Sequence, residues 1–128
     1  MRRLALLTAL IAGPALADGG ITVKLPDDTQ IAAAASPEFL MELVVANVIG
    51  SNCTGFQINQ GEWTLLTGTA DKVAEAIGVM DAGEYDDSYY HPAFDLLDQP
   101  GSCATEGPKI QPLIERLRAM GGDTLPLD

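Results

Sequence analysis

The distribution of apolar and polar positions along the chain predicts helices with clear start and stop signals. From Phe39 to Ile49 nearly every position is apolar, which is typical of a helix at the centre of a bundle. Ser36 is a suitable N-cap, and Pro37 fits the first helical position. Gly50 is a natural terminator. We therefore expect the other helices to surround this first one.

A capping box predicts the start of the second helix. Asn59 and Glu62 have the spacing at which each side chain binds the other residue's backbone N–H. Apolar residues then recur at intervals of three and four, as on one face of a helix: Trp63, Leu66, Ala70, Val73 and Ile77. Gly78 is the expected C-terminal stop.

The same capping pattern recurs at Asp81 and Glu84 and predicts a third helix from about Ala82 to Tyr90. A proline disfavours helical geometry in the residue before it. The helix should therefore kink or stop at His91, and Pro92 could open a further short helix through Leu97.

The last predicted helix has an apolar stripe at helical spacing: Ile110, Leu113, Ile114, Leu117 and Met120. Pro112 must lie within about the first turn, because deeper in the helix it would remove a backbone hydrogen bond. Gly121 and Gly122 should end the helix, and we expect the tail to Asp128 to fray.

Residues 18–35 read as an irregular N-terminal arm that packs loosely over the domain. Ile21, Val23 and Leu25 alternate with polar residues and predict at most one short strand. One isolated strand cannot make a sheet. The predicted fold class is therefore all-α, with residues 36–128 forming a small four-helix domain.

Residues 1–17 have the pattern of a cleaved signal peptide. Arg2 and Arg3 precede the apolar run Leu4–Ala12, and a small-x-small motif ends at Ala17. Cleavage there would release the mature chain into the periplasm. The apolar run is shorter than the roughly 18 residues of a membrane-spanning helix, and no other run reaches that length, so we expect no membrane span.

Composition narrows the classes of partner. The 128 residues carry a net charge of −11, and 47% are hydrophobic but only 5% aromatic. Without Arg2 and Arg3 the mature chain has five basic and eighteen acidic residues, a charge of −13 over 111 residues. Phosphates would be repelled, which argues against nucleic-acid binding. The acidity favours solubility, or a surface for cations or a basic partner.

Cys53 and Cys103 are the only cysteines. Export would place them where disulfides persist, and closing this loop would stabilise the fold by about 4 kcal/mol. The bond would join the end of the first helix to the start of the last. A redox pair or metal thiolates are the alternatives, although redox pairs usually have C-x-x-C spacing.

Candidate chemistry is confined to one cluster around the single histidine. Asp86, Asp87 and His91, beside two tyrosines, could hold a hard cation or act in acid–base chemistry. Their spacing matches neither a calcium loop nor H-x-x-x-H, and a surface helix end explains them equally well. Motifs for serine nucleophiles and phosphate loops are absent. We therefore predict no catalytic residues and no cofactor, and favour a non-enzymatic protein.

The arrangement of helices and cysteines resembles small exported alphaproteobacterial proteins of unknown function. The matching parts are residues 46–49 leading to Cys53, the stop at Gly78, and Cys103 leading into residues 110–117. The resemblance implies an all-α periplasmic domain with one disulfide and supplies no catalytic residues. A weaker likeness is to the acid-stress chaperones of the bacterial periplasm.

Three functions follow as hypotheses. The first is a non-enzymatic periplasmic helical module that binds a protein partner or serves an envelope role. The second is an acid-responsive chaperone, because protonation of many carboxylates would lower repulsion and loosen the bundle. The third is a metal-binding or enzymatic site at Asp86, Asp87 and His91.

Overall fold

The computed structural model describes residues 20–81 and 83–127, and the predicted signal peptide lies outside them. The all-α class is confirmed, because the described residues form helices and no β-strand. The predicted number of four helices is wrong, since short helices flank the expected ones. The elements are α1 (Asp28–Ala34), α2 (Pro37–Asn52), α3 (Gln60–Ala76), α4 (His91–Leu97), α5 (Ser102–Glu106) and α6 (Ile110–Ala119).

Helix α2 lies at the centre of the molecule, as its apolar sequence predicts. The Ser36 hydroxyl accepts a hydrogen bond from the Phe39 N–H at 3.0 Å and caps the helix. Helices α3, α4, α5 and α6 all pack against α2. The helix does not end at Gly50, which is buried instead. A Cβ at this glycine would lie 2.7 Å from the Ile58 side chain, so the close packing of Ile58 on α2 requires a residue without a side chain.

Helix α3 begins with the predicted capping box. Asn59 Oδ1 accepts from the Glu62 N–H at 2.8 Å, and Glu62 Oε1 accepts from the Asn59 N–H at 2.9 Å. Its most buried face includes Leu65, Leu66 and Val73. Trp63, predicted on that face, is only half-buried.

The helix does not stop at residue 91, whereas the expected short helix through residue 97 is present as α4 (His91–Leu97). Residues Asp86–Tyr90 form a π-helical turn that leads directly into α4. The His91 N–H donates to the Asp86 carbonyl, five residues earlier. A proline ring clashes with the carbonyl four residues before it in a regular α-helix. The different spacing of the π-helical turn lets Pro92 follow without ending the helix.

The second predicted capping box is not formed as expected. Glu84 donates its N–H to the Asp81 backbone carbonyl at 3.2 Å. The contact is thus the hydrogen bond of a backbone turn. The predicted first residue of this helix, Ala82, lies outside the described residues.

The disulfide between Cys53 and Cys103 is present, with an S–S distance of 2.10 Å and a Cα–Cα distance of 5.6 Å. Cys53 directly follows α2, as predicted. Cys103 lies inside the short helix α5, which the sequence analysis did not identify. The crosslink therefore joins the end of α2 to α5, and a 3₁₀ turn at Gly107–Lys109 then leads into α6.

Residues 20–35 are not a loose arm, because they contain α1 and contact the core. Ile31 of α1 is buried. The Asp27 N–H donates to the carbonyl of Met120, just after α6, at 3.0 Å. Lys72 of α3 pairs with Asp28 of α1 at 3.0 Å. The apolar residue and these polar contacts hold the segment on the domain.

The described part of the C-terminal tail is also held, contrary to the expected fraying. Asp123 donates its N–H to the Lys24 carbonyl at 2.9 Å, and Leu127 donates to the Thr22 carbonyl at 2.8 Å. These contacts flank an antiparallel bridge between Val23 and Pro126. The extended N-terminal segment therefore finds its backbone partner in the tail.

Within the described residues, no single helix combines the length and the apolarity needed to cross a membrane. Helices α1 and α2 meet both criteria only when taken together, and a bend of 109° separates them.

Candidate functional site: an apolar cleft with an acidic rim

A cleft of about 460 Å³ lies between α2 and α6, with one lining residue each from α4 and α5. This volume is in the range of pockets that bind a ligand of drug size, roughly 300–1,000 Å³. Six lining residues are apolar and four are ionisable: Met41, Val45, Ala46, Leu96, Ile110 and Leu113, with Glu38, Glu42, Glu106 and Lys109.

The apolar floor arises because α2 has more apolar surface than its neighbours cover. Ala46, Ile110 and Leu113 are buried and form a closed base. Met41 and Val45, four residues apart on α2, are only half-buried and face the cleft. When a partner removes such half-covered apolar side chains from water, the free energy of the system falls, and binding is favoured.

Carboxylates dominate the rim. Glu106 of α5 accepts from Lys109 Nζ at 3.2 Å, and the Glu106 side chain is only 14% exposed. Glu42 of α2 pairs with Arg116 at a distance of 3.4 Å. The Arg116 guanidinium also lies 4.5 Å from the centre of the Phe39 ring. Both pairs have an exposed cation. The Glu42–Arg116 pair is exposed on both sides and therefore contributes little to stability.

Glu38 is different, because it forms no ion pair with any residue in the described part of the chain. The ionisable residues that line the cleft are thus three carboxylates and one ammonium group. Their net charge is −2, or −1 when the Arg116 guanidinium that pairs with Glu42 is included. This charge lies beside an apolar surface, where screening by water is weaker than in bulk. The cleft therefore favours cationic groups over anionic ones.

The structure brings Asp86, Asp87 and His91 together, as the metal hypothesis requires. His91 Nε2 lies 3.6 Å from Asp86 Oδ2, and His91 Nδ1 lies 3.7 Å from Asp87 Oδ1. The π-helical turn places Asp86 and His91, five residues apart, on the same side, and Asp87 is four residues before His91. All three side chains are about two-thirds exposed, and none of them lines the cleft. Exposed acidic groups of this kind are common without a metal ion, so their proximity alone does not assign a metal to them.

Neither cysteine lines the cleft, but the disulfide is connected to one of its walls. Cys103 and Glu106 belong to the same short helix, and the disulfide attaches that helix to the end of α2. No free thiol is present among the described residues. The pair thus positions the wall that carries Glu106.

The cleft could not be predicted from the sequence, because its two walls are far apart in the chain. Met41 and Val45 belong to α2, whereas Lys109 and Ile110 follow α5. The available signal was the excess of apolar positions on α2, more than a bundle helix needs for its own packing. That excess indicates that other elements cover much of the apolar surface of α2, but it does not indicate which part remains uncovered.

Comparison with known proteins finds no matching family model, no matching curated protein and no matching solved structure.

Proposed function

We propose that this protein is a non-enzymatic exported helical module that binds a protein partner in the cleft between α2 and α6. The observation that carries the proposal is the cleft itself. It has a volume of about 460 Å³ and an apolar floor surrounded by an ionisable rim. An apolar core surrounded by a polar rim is the usual anatomy of a protein-binding surface. The signal-peptide pattern of residues 1–17 supports export to the periplasm.

The chemistry of the lining supports binding over catalysis. The groups that face the cleft are carboxylates, one ammonium group and aliphatic or thioether side chains. This set contains no hydroxyl, thiol or imidazole that could act as a nucleophile with an adjacent base. Binding needs only the apolar area and the charges that are present.

The test is capture of a partner from native periplasm by the protein and by Val45→Glu. Val45 is half-buried in the cleft, so a carboxylate there would lose its hydration when a partner covers it. Ala33→Glu, on the exposed surface of α1, is the matched control, and circular dichroism checks that both variants fold. We expect Val45→Glu to lose a partner that Ala33→Glu retains. Equal capture by both variants would contradict the proposal.

An acid-responsive chaperone is the second candidate function. Two ion pairs that join different helices, Lys72–Asp28 and Arg116–Glu42, each contain a carboxylate that acid neutralises. Their loss would loosen α1 and α6, but exposed pairs contribute only about 0–1 kcal/mol each. Light scattering of an aggregating client at neutral and acid pH tests this function. Absence of suppression at both pH values would exclude it.

A further inference from the structure

We propose that the cleft between α2 and α6 recognises a basic amphipathic segment of its partner, with apolar side chains on the floor and Lys or Arg at the rim. This inference rests on the proposed function and adds the chemistry of the partner. It is carried by the arrangement of charge around the floor.

Acidic and apolar residues alternate along one face of α2 at the spacing of a helix turn. Glu38, Met41, Glu42 and Val45 all line the cleft, and their separations of three and four residues place them on one side of the helix. A ligand that meets this face therefore encounters an apolar side chain and a carboxylate within each turn. A segment with Leu-type and Lys-type residues one turn apart is complementary to it.

The opposite wall contributes a further carboxylate. Glu106 is largely covered, yet the partner it has, Lys109, is 67% exposed and three residues away on the same chain segment. The Lys109 ammonium group is thus exposed and comes from a neighbouring turn, and local pairs of this spacing are weak. A guanidinium from a partner can therefore replace or join the Lys109 ammonium group, and it would bind the carboxylate with two parallel hydrogen bonds.

The same charges disfavour other occupants. An acidic peptide or an anionic lipid headgroup would bring further negative charge to a rim that is already net negative, even with Arg116 included. A neutral apolar segment would cover the floor, but it would remove water from Glu38 without supplying a counter-charge. A basic amphipathic segment covers the apolar area and neutralises the rim together.

The size of the cleft sets the length of the segment. A volume of about 460 Å³ holds a few large side chains, roughly the two or three anchors that an amphipathic helix places at i, i+3 or i+4, and i+7. The adaptable side chain of Met41 at the floor suits anchors of different shape. A short segment is thus sufficient.

Isothermal titration calorimetry on the full chain tests the inference with designed helical peptides. The first peptide has three Leu anchors at i, i+4 and i+7 with Lys at flanking rim positions. The second has Glu in place of every Lys, and the third is a scrambled form of the first. We expect the Lys peptide to bind at least about tenfold more tightly than either of the others, and more weakly as salt concentration rises.

Protein variants then locate the binding. Glu38→Gln combined with Glu42→Gln removes two exposed rim charges and should weaken the Lys peptide about five- to tenfold. Glu84→Gln combined with Asp98→Asn removes two exposed charges outside the cleft and should change the affinity less than about twofold. Thermal melting confirms that the variants fold, and Glu106→Gln is a further rim variant on the opposite wall.

The outcomes separate this inference from the proposed function. If Val45→Glu loses the periplasmic partner while the rim variants bind all peptides equally, the cleft is a docking site and its basic specificity is wrong. If both charge-removing pairs weaken binding equally, the attraction is one of net charge, and the inference is wrong. Failure of the Lys peptide to bind at all also overturns it.

Discussion

At the scale of single residues, Gly61 decides how closely the tail approaches α3. A Cβ on this residue would lie 2.0 Å from the backbone oxygen of Thr124, well inside van der Waals contact. Gly68 lies on the same helix, and a Cβ there would lie 2.8 Å from a methyl group of Leu25. The first contact is with backbone, whereas the second is with the end of a flexible side chain.

This difference predicts opposite tolerance to alanine. We expect Gly61→Ala to lower the free energy of unfolding by about 1–3 kcal/mol, because the tail must move. Gly68→Ala should change stability by less than about 1 kcal/mol, since Leu25 can rotate and alanine favours the helix by a similar amount. Urea denaturation of both variants measures the difference. A smaller loss for Gly61→Ala than for Gly68→Ala would show that the tail does not pack on α3 as described.

Tyr85 gives stability a dependence on alkaline pH. Burial raises the pKa of its phenol far above the ordinary value, and the nearby Tyr90 and Asp71 raise it further. The hydroxyl donates to Asp71 Oδ1 at 3.1 Å. A raised pKa in the folded state favours the protonated phenol, so this contribution is complete below the ordinary tyrosine pKa of about 10 and decreases above it.

The expected result is a steeper loss of stability with rising pH in the wild-type protein than in Tyr85→Phe. Denaturant unfolding at several values between pH 8 and pH 11 measures the free energy of unfolding of both proteins. The two curves should diverge only at about pH 10 to 11. Parallel curves would mean that Tyr85 ionises equally in the folded and unfolded chains.

At the scale of elements, the disulfide holds a helix that is too short to be stable alone. Helix α5 has five residues, Ser102–Glu106, and isolated helices of this length do not persist in water. Its Ser102 hydroxyl donates to the Leu97 carbonyl at 2.8 Å, which joins it to the end of α4. The bond to Cys53 supplies the link to α2.

Replacing both cysteines by serine is therefore expected to affect stability and binding together. Removing a crosslink between residues 50 apart should cost about 4 kcal/mol in the chain-entropy model. The affinity of the cleft for its partner should also fall, because the wall that carries Glu106 is no longer fixed. Denaturant unfolding of the variant, with reduced wild-type protein as the control, checks the first expectation. A loss below about 1 kcal/mol would contradict it.

Elements with strong local signals could be predicted from the sequence, and the others could not. The Ser36 cap, the Asn59–Glu62 box and the stripe of α6 are interactions within a few residues, so they are visible in the chain order. Helix α5 depends on its disulfide, and α1 depends on α3 and the turn after α6. The sequence predicts a short helix through residue 97, but not the π-helical turn that joins it to the preceding residues. These three features follow from tertiary contacts or from a rare backbone geometry.

At the scale of the whole molecule, the sequence predicts the kinds of residue that form the cleft but not the cleft itself. The apolar excess of α2 and the acidic composition are properties of the sequence, and both contribute to the site. Their meeting at one place depends on how α6 crosses α2 and on where the disulfide holds α5. No pattern within either helix specifies that arrangement, because side chains from distant parts of the chain pack together only in the fold.

The pairing of the two terminal segments makes a prediction for hydrogen exchange. The amides of Asp123 and Leu127 donate to Lys24 and Thr22, so both should exchange more slowly than amides of a free tail. Nuclear magnetic resonance with a deuterium chase measures their protection, and the amide of Leu125, an exposed residue of the same tail, is an internal comparison. Exchange of Asp123 and Leu127 at random-coil rates would contradict the pairing.

The terminal pairing also orders the events of folding. Thr22 and Leu127 are separated by 105 residues, and a ribosome produces the first long before the second. Segment 22–27 thus has no backbone partner in the tail throughout most of translation, even if α2 and α3 have already folded. Contacts so distant in sequence form late, because the loop between them is costly to close. The nascent chain therefore offers an uncovered extended segment until its tail emerges, a period in which it can still be unfolded or handed to another protein.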